Sequence, residues 1–196
     1  MSILKLLSFF LISVCFGLQA HAIGLYLEPG VFYEGGNNDV QWPSPLQSST
    51  GTTKGFGADL KIGIHFDSVF FIAAEGSYSK VKFENSATNY SADATSTIYD
   101  GILGLQFPHF GLRGWAGYVF GGTLDPESSG SYDVKFDTPQ GFKVGLGFKI
   151  AIVSINIEYM DIKYNNGHLD QPVATDFSDK LHNKVGMLSV SFPFTF

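Results

Sequence analysis

The sequence is short of cysteine, of charge and of long apolar runs. It has one cysteine in 196 residues, charge at 15% of positions, and a single extended apolar run, at its start. One cysteine excludes a disulfide framework and a thiolate zinc site. Twelve basic against 18 acidic residues, net −6, argues against a nucleic-acid-binding surface. Beyond residue 22 no stretch approaches 18 apolar residues, which excludes a spanning helix there. What is plentiful is glycine, 23 residues, and aromatic side chains, 15% of the chain. Together they favour strands and tight backbone approaches over helices.

The opening apolar run reads as a targeting segment. Met1 to Lys5 carries one positive charge, Leu6 to Leu18 is apolar apart from Ser8, Ser13 and Gly17, and Ala20-His21-Ala22 has the small-x-small form of a cleavage site. Residues 1–22 are therefore expected to be a secretory signal peptide, with Cys15 packed inside it. The run is too short to cross a bilayer as a helix. The mature chain, residues 23–196, is expected to form one domain, free of cysteine, with 11 basic and 18 acidic residues.

In that domain the period is two. From Phe56 to Phe66, Phe56, Ala58, Leu60, Ile62, Ile64 and Phe66 share one face, and Gly57, Asp59, Lys61, Gly63 and His65 share the other. From Phe142 to Ile150, Phe142, Val144, Leu146, Phe148 and Ile150 oppose Lys143, Gly145, Gly147 and Lys149. Side chains two apart lie on one side of a strand, so each segment has one apolar face and one of glycine and charge. Six further segments, beginning near Leu25, Phe70, Tyr99, Leu112, Val153 and Leu188, alternate similarly, which predicts eight strands. Short connections at Asp67-Ser68, Pro108 to Gly111 and Ala151-Ile152 alternate with long polar ones at Glu34 to Gly51, Glu84 to Asp93, Asp125 to Asp133 and Asn165 to Lys180. Short turns at one end and long loops at the other are the pattern of an up-and-down transmembrane barrel.

The glycines decide which face is wet. In a soluble sandwich Gly57, Gly63, Gly104, Gly117, Gly145 and Gly147 would lie on the solvent side, where they weaken a strand for no return. Inside a narrow eight-stranded barrel they make room for larger side chains. The same inner face then holds Glu28, Asp59, Glu75, Asp100 and Glu158 with Lys61, Arg113, Lys143 and Lys149, a luminal charge network in which pairing offsets burial. Tyr26, Phe32, Trp115 and Met160 add bulk, so the lumen is expected to be filled and polar. Phe56, Phe66, Tyr78, Tyr99, Phe107, Phe110, Tyr159 and Phe196 fall where membrane girdles belong.

The final stretch, Leu188 to Phe196, places Phe192, Phe194 and Phe196 on one face and ends on an aromatic residue. It resembles the C-terminal signature of Gram-negative outer-membrane barrels, and the whole mature chain resembles the small eight-stranded group typified by outer membrane proteins A (its N-terminal half), X and W. The resemblance implies an all-β, eight-stranded antiparallel transmembrane barrel in the bacterial outer membrane. It also implies periplasmic termini, extracellular long loops, contact with membrane lipid and lipopolysaccharide, and Phe192, Phe194 and Phe196 as the signal read by the barrel assembly machinery.

The leading expectation is a non-enzymatic envelope barrel with acidic surface loops. The alternative, suggested by the outer membrane protein W resemblance, is a conduit for small hydrophobic molecules that leave sideways through a wall weakened at Pro29 and Pro139, with Trp42 at its mouth. Proline removes a ladder donor that a closed barrel has no free edge to excuse. No cofactor, metal or catalytic set is expected: His65, His109, His168 and His182 lack metal spacing, and no outward serine sits beside an outward histidine.

Overall fold

The computed structural model describes residues 23–41, 48–67, 69–85, 90–128, 133–171 and 175–196; the expected signal peptide and Trp42 lie outside them. Eight long strands run in chain order: β1 (Ile23–Val40), β2 (Ser49–Phe66), β3 (Phe70–Asn85), β4 (Tyr90–Phe107), β5 (Leu112–Pro126), β6 (Asp133–Ile150), β7 (Val153–Gln171) and β8 (Thr175–Ser191). A two-residue β9 (Phe194–Thr195) continues β8. Each strand pairs antiparallel with the next, and β1 pairs with both β2 and β8, which closes the ring.

The short turns fall where the sequence puts them. Asp67 and Ala151 adopt positive φ (50° and 55°) to reverse the chain in very few residues, and Gly111 does the same at 69°. The other ends differ from expectation. Most of Glu34 to Gly51, Glu84 to Asp93 and Asn165 to Lys180 is not loop, because β1, β2, β3, β4, β7 and β8 extend through these stretches as long hairpins.

The physical reason is an inversion of polarity partway up the wall. On β3, Phe70, Ile72 and Tyr78 point outward near the short turns, and Lys80 and Lys82 point outward above them. The inward face of the same strand runs the opposite way, with Glu75 and Ser79 below Val81 and Phe83. Every strand follows this scheme. The lower outer wall is a band of exposed Leu, Ile, Val and aromatics, and the upper outer wall carries Asn37, Asp39, Lys54, Asp93, Asp125, Lys163 and Lys184. The upper interior is a packed apolar cluster that includes Phe32, Val81, Phe83, Val119, Leu124, Phe136, Ile162, Tyr164, Leu181 and Val185. The lower half is thus built for an apolar surrounding and the upper half for water, as a soluble barrel is.

Three adjacent strands switch phase at the boundary: β7 between the buried Tyr164 and Gly167, and β5 and β6 beside it. On β6, Val134 and Phe136 face inward, Thr138 takes a φ of 53°, and from Pro139 onward the odd-numbered residues face inward. On β5 the same change occurs at Gly121-Gly122, where Gly122 has φ 139°. Between Val119↔Gly141 and Thr123↔Asp137, β5 and β6 are not paired. An inserted residue on each strand rotates the side chains by one face, which is the function of a bulge. The strict alternation therefore stops near Phe120 and Phe142 although the strands do not.

Inward glycines sit beneath the large luminal groups. A Cβ on Gly104 would enter the Phe71 ring, one on Gly145 the Trp115 ring, and one on Gly57 the Phe32 ring. The lumen is too narrow for both partners to carry side chains.

Candidate functional site

The lower lumen brings together eight of the nine charged residues singled out in the sequence. Glu28, Asp59, Lys61, Glu75, Asp100, Arg113, Lys143 and Glu158 are all buried, on β1 through β7. Arg113 clamps Glu28 with two hydrogen bonds, Nη1 to Oε1 at 3.0 Å and Nη2 to Oε2 at 2.6 Å, and Nη2 also donates to the Tyr26 hydroxyl at 2.5 Å. Ser191 Oγ donates to Glu28 Oε1 from the far side of the seam. Lys143 Nζ donates to Glu75 Oε1 at 2.7 Å and lies 3.2 Å from Glu158 Oε2 and 3.6 Å from Asp100 Oδ2. Lys61 Nζ donates to Asp59 Oδ2 at 2.7 Å and stands 3.6 Å from Glu75 and 3.9 Å from Glu158. Lys149 does not join: it is part-buried at the short-turn mouth and donates to the carbonyl of Pro193.

Aromatic faces complete the filling. Tyr26 stacks on Phe71 at 4.9 Å, with His65 beside them, and the Arg113 guanidinium lies 5.4 Å from the Trp115 ring centre and 5.6 Å from that of Phe71. Arg113 thus meets a carboxylate in its plane and π-faces above it, an arrangement lysine cannot reproduce. A polar ladder of Ser154, Asn156, Ser189 and Ser191 links β7 and β8 to this set, with Asn156 Nδ2 donating to both Ser189 and Ser191. Sequence reasoning missed this ladder, because serine and asparagine on alternate positions read equally well as a solvated face.

Over this charged floor the interior is apolar, against the expectation of a polar lumen throughout. Glu34 is the buried acid within that upper half and accepts a hydrogen bond from Ser79, while Asn38 Nδ2 donates to Thr53. The signal for this apolar upper core was present at Val81, Phe83, Val134 and Phe136. It was hidden because those residues fall on the face opposite to the apolar face below, or beyond a bulge.

The prolines mark different local features. Pro29 points outward on β1, pairs with Leu60, and its carbonyl accepts from the Phe192 amide at 2.9 Å. The seam continues downward through Leu25 and Phe196, which exchange both backbone hydrogen bonds at 2.9 and 3.0 Å. The wall at Pro29 is therefore hydrogen-bonded on both sides. Pro139 is buried beside the unpaired stretch of β5 and β6. Phe192, Phe194 and Phe196 are outward on the closing segment.

A second site lies outside, at the polarity boundary. On β2 and β3, Lys54 pairs directly with Lys82 and Phe56 with Lys80, beneath which Tyr33, Phe56 and Tyr78 form part of the aromatic belt. These residues line a groove of about 620 Å³.

The family model of the outer membrane protein beta-barrel domain matches residues 8–194. Among solved structures the chain is similar to Ail, the attachment invasion locus protein of Yersinia pestis, solved with the heparin analogue sucrose octasulfate. That match has 14% identity and a TM-score of 0.51, and covers 87% of this chain and 99% of Ail. It is similar also to Neisserial surface protein A, with 13% identity and a TM-score of 0.50, covering 88% of this chain and 99% of that one. No curated protein matches it. At these identities the two structures speak for the fold, and it is the fold derived above: an all-β, eight-stranded barrel with an apolar outer band. The family match spans nearly the whole chain, and the chain belongs to the outer membrane beta-barrel protein family, whose place is the bacterial outer membrane.

Proposed function

We propose that this protein is a non-enzymatic structural barrel of the envelope, oriented with the short turns and both chain termini of the barrel domain in the periplasm and the long hairpins outside the cell. The observation that carries the reading is the double filling of the lumen. The charge network closes the lower half, and the apolar cluster from Phe32 to Met187 closes the upper half. A barrel plugged at both levels supplies rigidity and a platform rather than a pore. The hairpins carry Asp39, Asp93, Asp125 and Glu127 on outward or exposed positions, an acidic surface suited to cationic partners and to divalent-cation bridges with lipopolysaccharide. Phe192, Phe194 and Phe196 serve as the assembly signal in this reading.

Planar-bilayer recording tests it. The purified barrel is expected to leave bilayer conductance at baseline, and steady, reproducible unit steps would overturn the plugged reading. Envelope lipids extracted from cells with and without the protein are expected to give identical acyl patterns by mass spectrometry. A difference would overturn the non-enzymatic assignment.

A further inference from the structure

We infer that the outer groove of β2 to β4 is a binding site for a phosphorylated glycolipid of the outer leaflet, the lipid A part of lipopolysaccharide, held through its phosphates by Lys54, Lys80 and Lys82. The inference rests on the proposed orientation, which places the long-hairpin end in that leaflet.

Lys54 stands directly opposite Lys82 across β2 and β3, and Lys80 lies two residues below Lys82 on the same face. Like charges directly opposite in a sheet destabilise it. Period-two spacing puts the ammonium groups of Lys80 and Lys82 on bases about 7 Å apart, near enough for one phosphate or two neighbouring ones. Glu84 is shared between two of them, at 3.6 Å from Lys54 and 3.7 Å from Lys82, and Asp93 lies beside Lys82 on β4. Lys80, the lysine nearest the apolar band, forms no ion pair among the described residues. The acids lie level with or above the upper lysines, so the positive charge is concentrated toward the membrane. That is where the phosphates of a lipid headgroup sit.

Directly below these lysines, Ala58 and Thr97 flank Tyr78 on one outward rung, and Gly76 lies between Leu60 and Tyr99 on the next; the small residues leave a depression of about 490 Å³ in the outer wall. Tyr78 borders both this depression and the lysine groove. A ligand with phosphates above and acyl chains below meets both features on one set of strands. A free phosphate or a soluble polyanion would use only the upper one. Interfacial tyrosines with their hydroxyls at headgroup level complete the match.

The test uses the full-length protein, processed and purified from outer membranes, then placed in phosphatidylcholine vesicles containing diphosphoryl lipid A, lipid A stripped of both phosphates, or phosphatidylglycerol. Retained lipid is measured by native mass spectrometry. The unaltered protein is expected to retain diphosphoryl lipid A over the other two. The Lys54→Gln/Lys80→Gln/Lys82→Gln variant is expected to lose at least about tenfold in retention, given the roughly tenfold or smaller effect of each lysine at a membrane surface. The corresponding Arg variant is expected to keep it. Lys163→Gln/Lys184→Gln, which removes outward charge on β7 and β8, serves as the control and is expected to stay within about twofold.

Equal retention by the triple Gln variant, an equal loss in the control, or equal binding of stripped lipid A or phosphatidylglycerol would overturn the site. Heat-modifiable migration of each variant on detergent gels reports folding separately. A membrane-impermeant amine reagent on intact cells separates the two readings. Unlabelled Lys135, its side chain 43% exposed at the hairpin end of β6 and outside the groove, would overturn the orientation and the site with it, whereas labelled Lys135 without lipid A selectivity would overturn the site alone.

Discussion

Replacing Arg113 by Met is the sharpest single test of the luminal network. The side chain is fully buried, and its removal takes away two hydrogen bonds to Glu28, one to Tyr26 and two π-face contacts, while Ser191 remains as a donor to the carboxylate. Breaking a buried ion pair from one side strands the other charge and costs about 3–5 kcal/mol. With a urea slope of about 2 kcal/mol/M, the unfolding midpoint of the refolded barrel is expected to fall by about 2 M. Glu28→Gln alone leaves the guanidinium without its countercharge and is expected to cost a similar amount. In the Glu28→Gln/Arg113→Met double variant no charge is stranded, so the loss is expected to be smaller than the sum by about 2–3 kcal/mol. Reversible urea titration in lipid vesicles, followed by tryptophan fluorescence, measures all four corners of the cycle. Strict additivity, or an Arg113→Met midpoint within about 0.3 M of the parent, would refute the claim that this pair is held as a desolvated unit.

Other outcomes follow from the remaining features. Phe136→Ala removes a fully buried ring from the upper core and is expected to destabilise by about 3–5 kcal/mol in the same titration; a loss under about 1 kcal/mol would mean that the upper half is not packed. Spin labels placed at Lys82 and Thr95 are expected to relax faster with a water-soluble nickel chelate, and labels at Ile72 and Leu103 with dissolved oxygen; the same response at all four would abolish the proposed membrane boundary. Gly145→Ala drives a methyl into the Trp115 ring and is expected to cost about 1–3 kcal/mol, most of it recovered when Trp115 is also changed to Leu. Deleting Phe196 removes both backbone hydrogen bonds to Leu25 and is expected to lower the folded, heat-modifiable fraction recovered from cells, an effect that should be absent for deletion of residues 42–47.

Legibility in the sequence followed the number of competing demands on each segment. The lower half of each strand obeys one rule, apolar outward and polar or small inward, so Phe56 to Phe66 and Phe142 to Ile150 announce their faces without help. The pairing of glycine with bulk was also legible in kind, since only a narrow interior gives Gly57, Gly104 and Gly145 a use. Which ring each glycine sits beneath was not, because that depends on strand stagger around the ring. The upper half obeys the reverse rule, and the change at Thr138 on β6 and at Gly121-Gly122 on β5 erases the period-two signal where it would be needed. With polar residues outward there, Glu34 to Gly51, Glu84 to Asp93 and Asn165 to Lys180 read as polar loop although β1 to β4, β7 and β8 run through them.

The nine luminal charges show the same division. Their common face was fixed by parity, but Lys149 shares that face and stands at the mouth beside Pro193, while Lys143 reaches Glu75, Asp100 and Glu158 on three other strands. Side-chain alternation along a strand is a local property, so residue order alone determined strand identity, the apolar band and the inward set. Partnership across a closed ring depends on register, shear and bulges, which join residues 85 and 163 positions apart at Arg113–Glu28 and Ser191–Glu28. Only the tertiary structure decided those pairs, the apolar core above them, and the lysine groove that β2, β3 and β4 assemble on the outside.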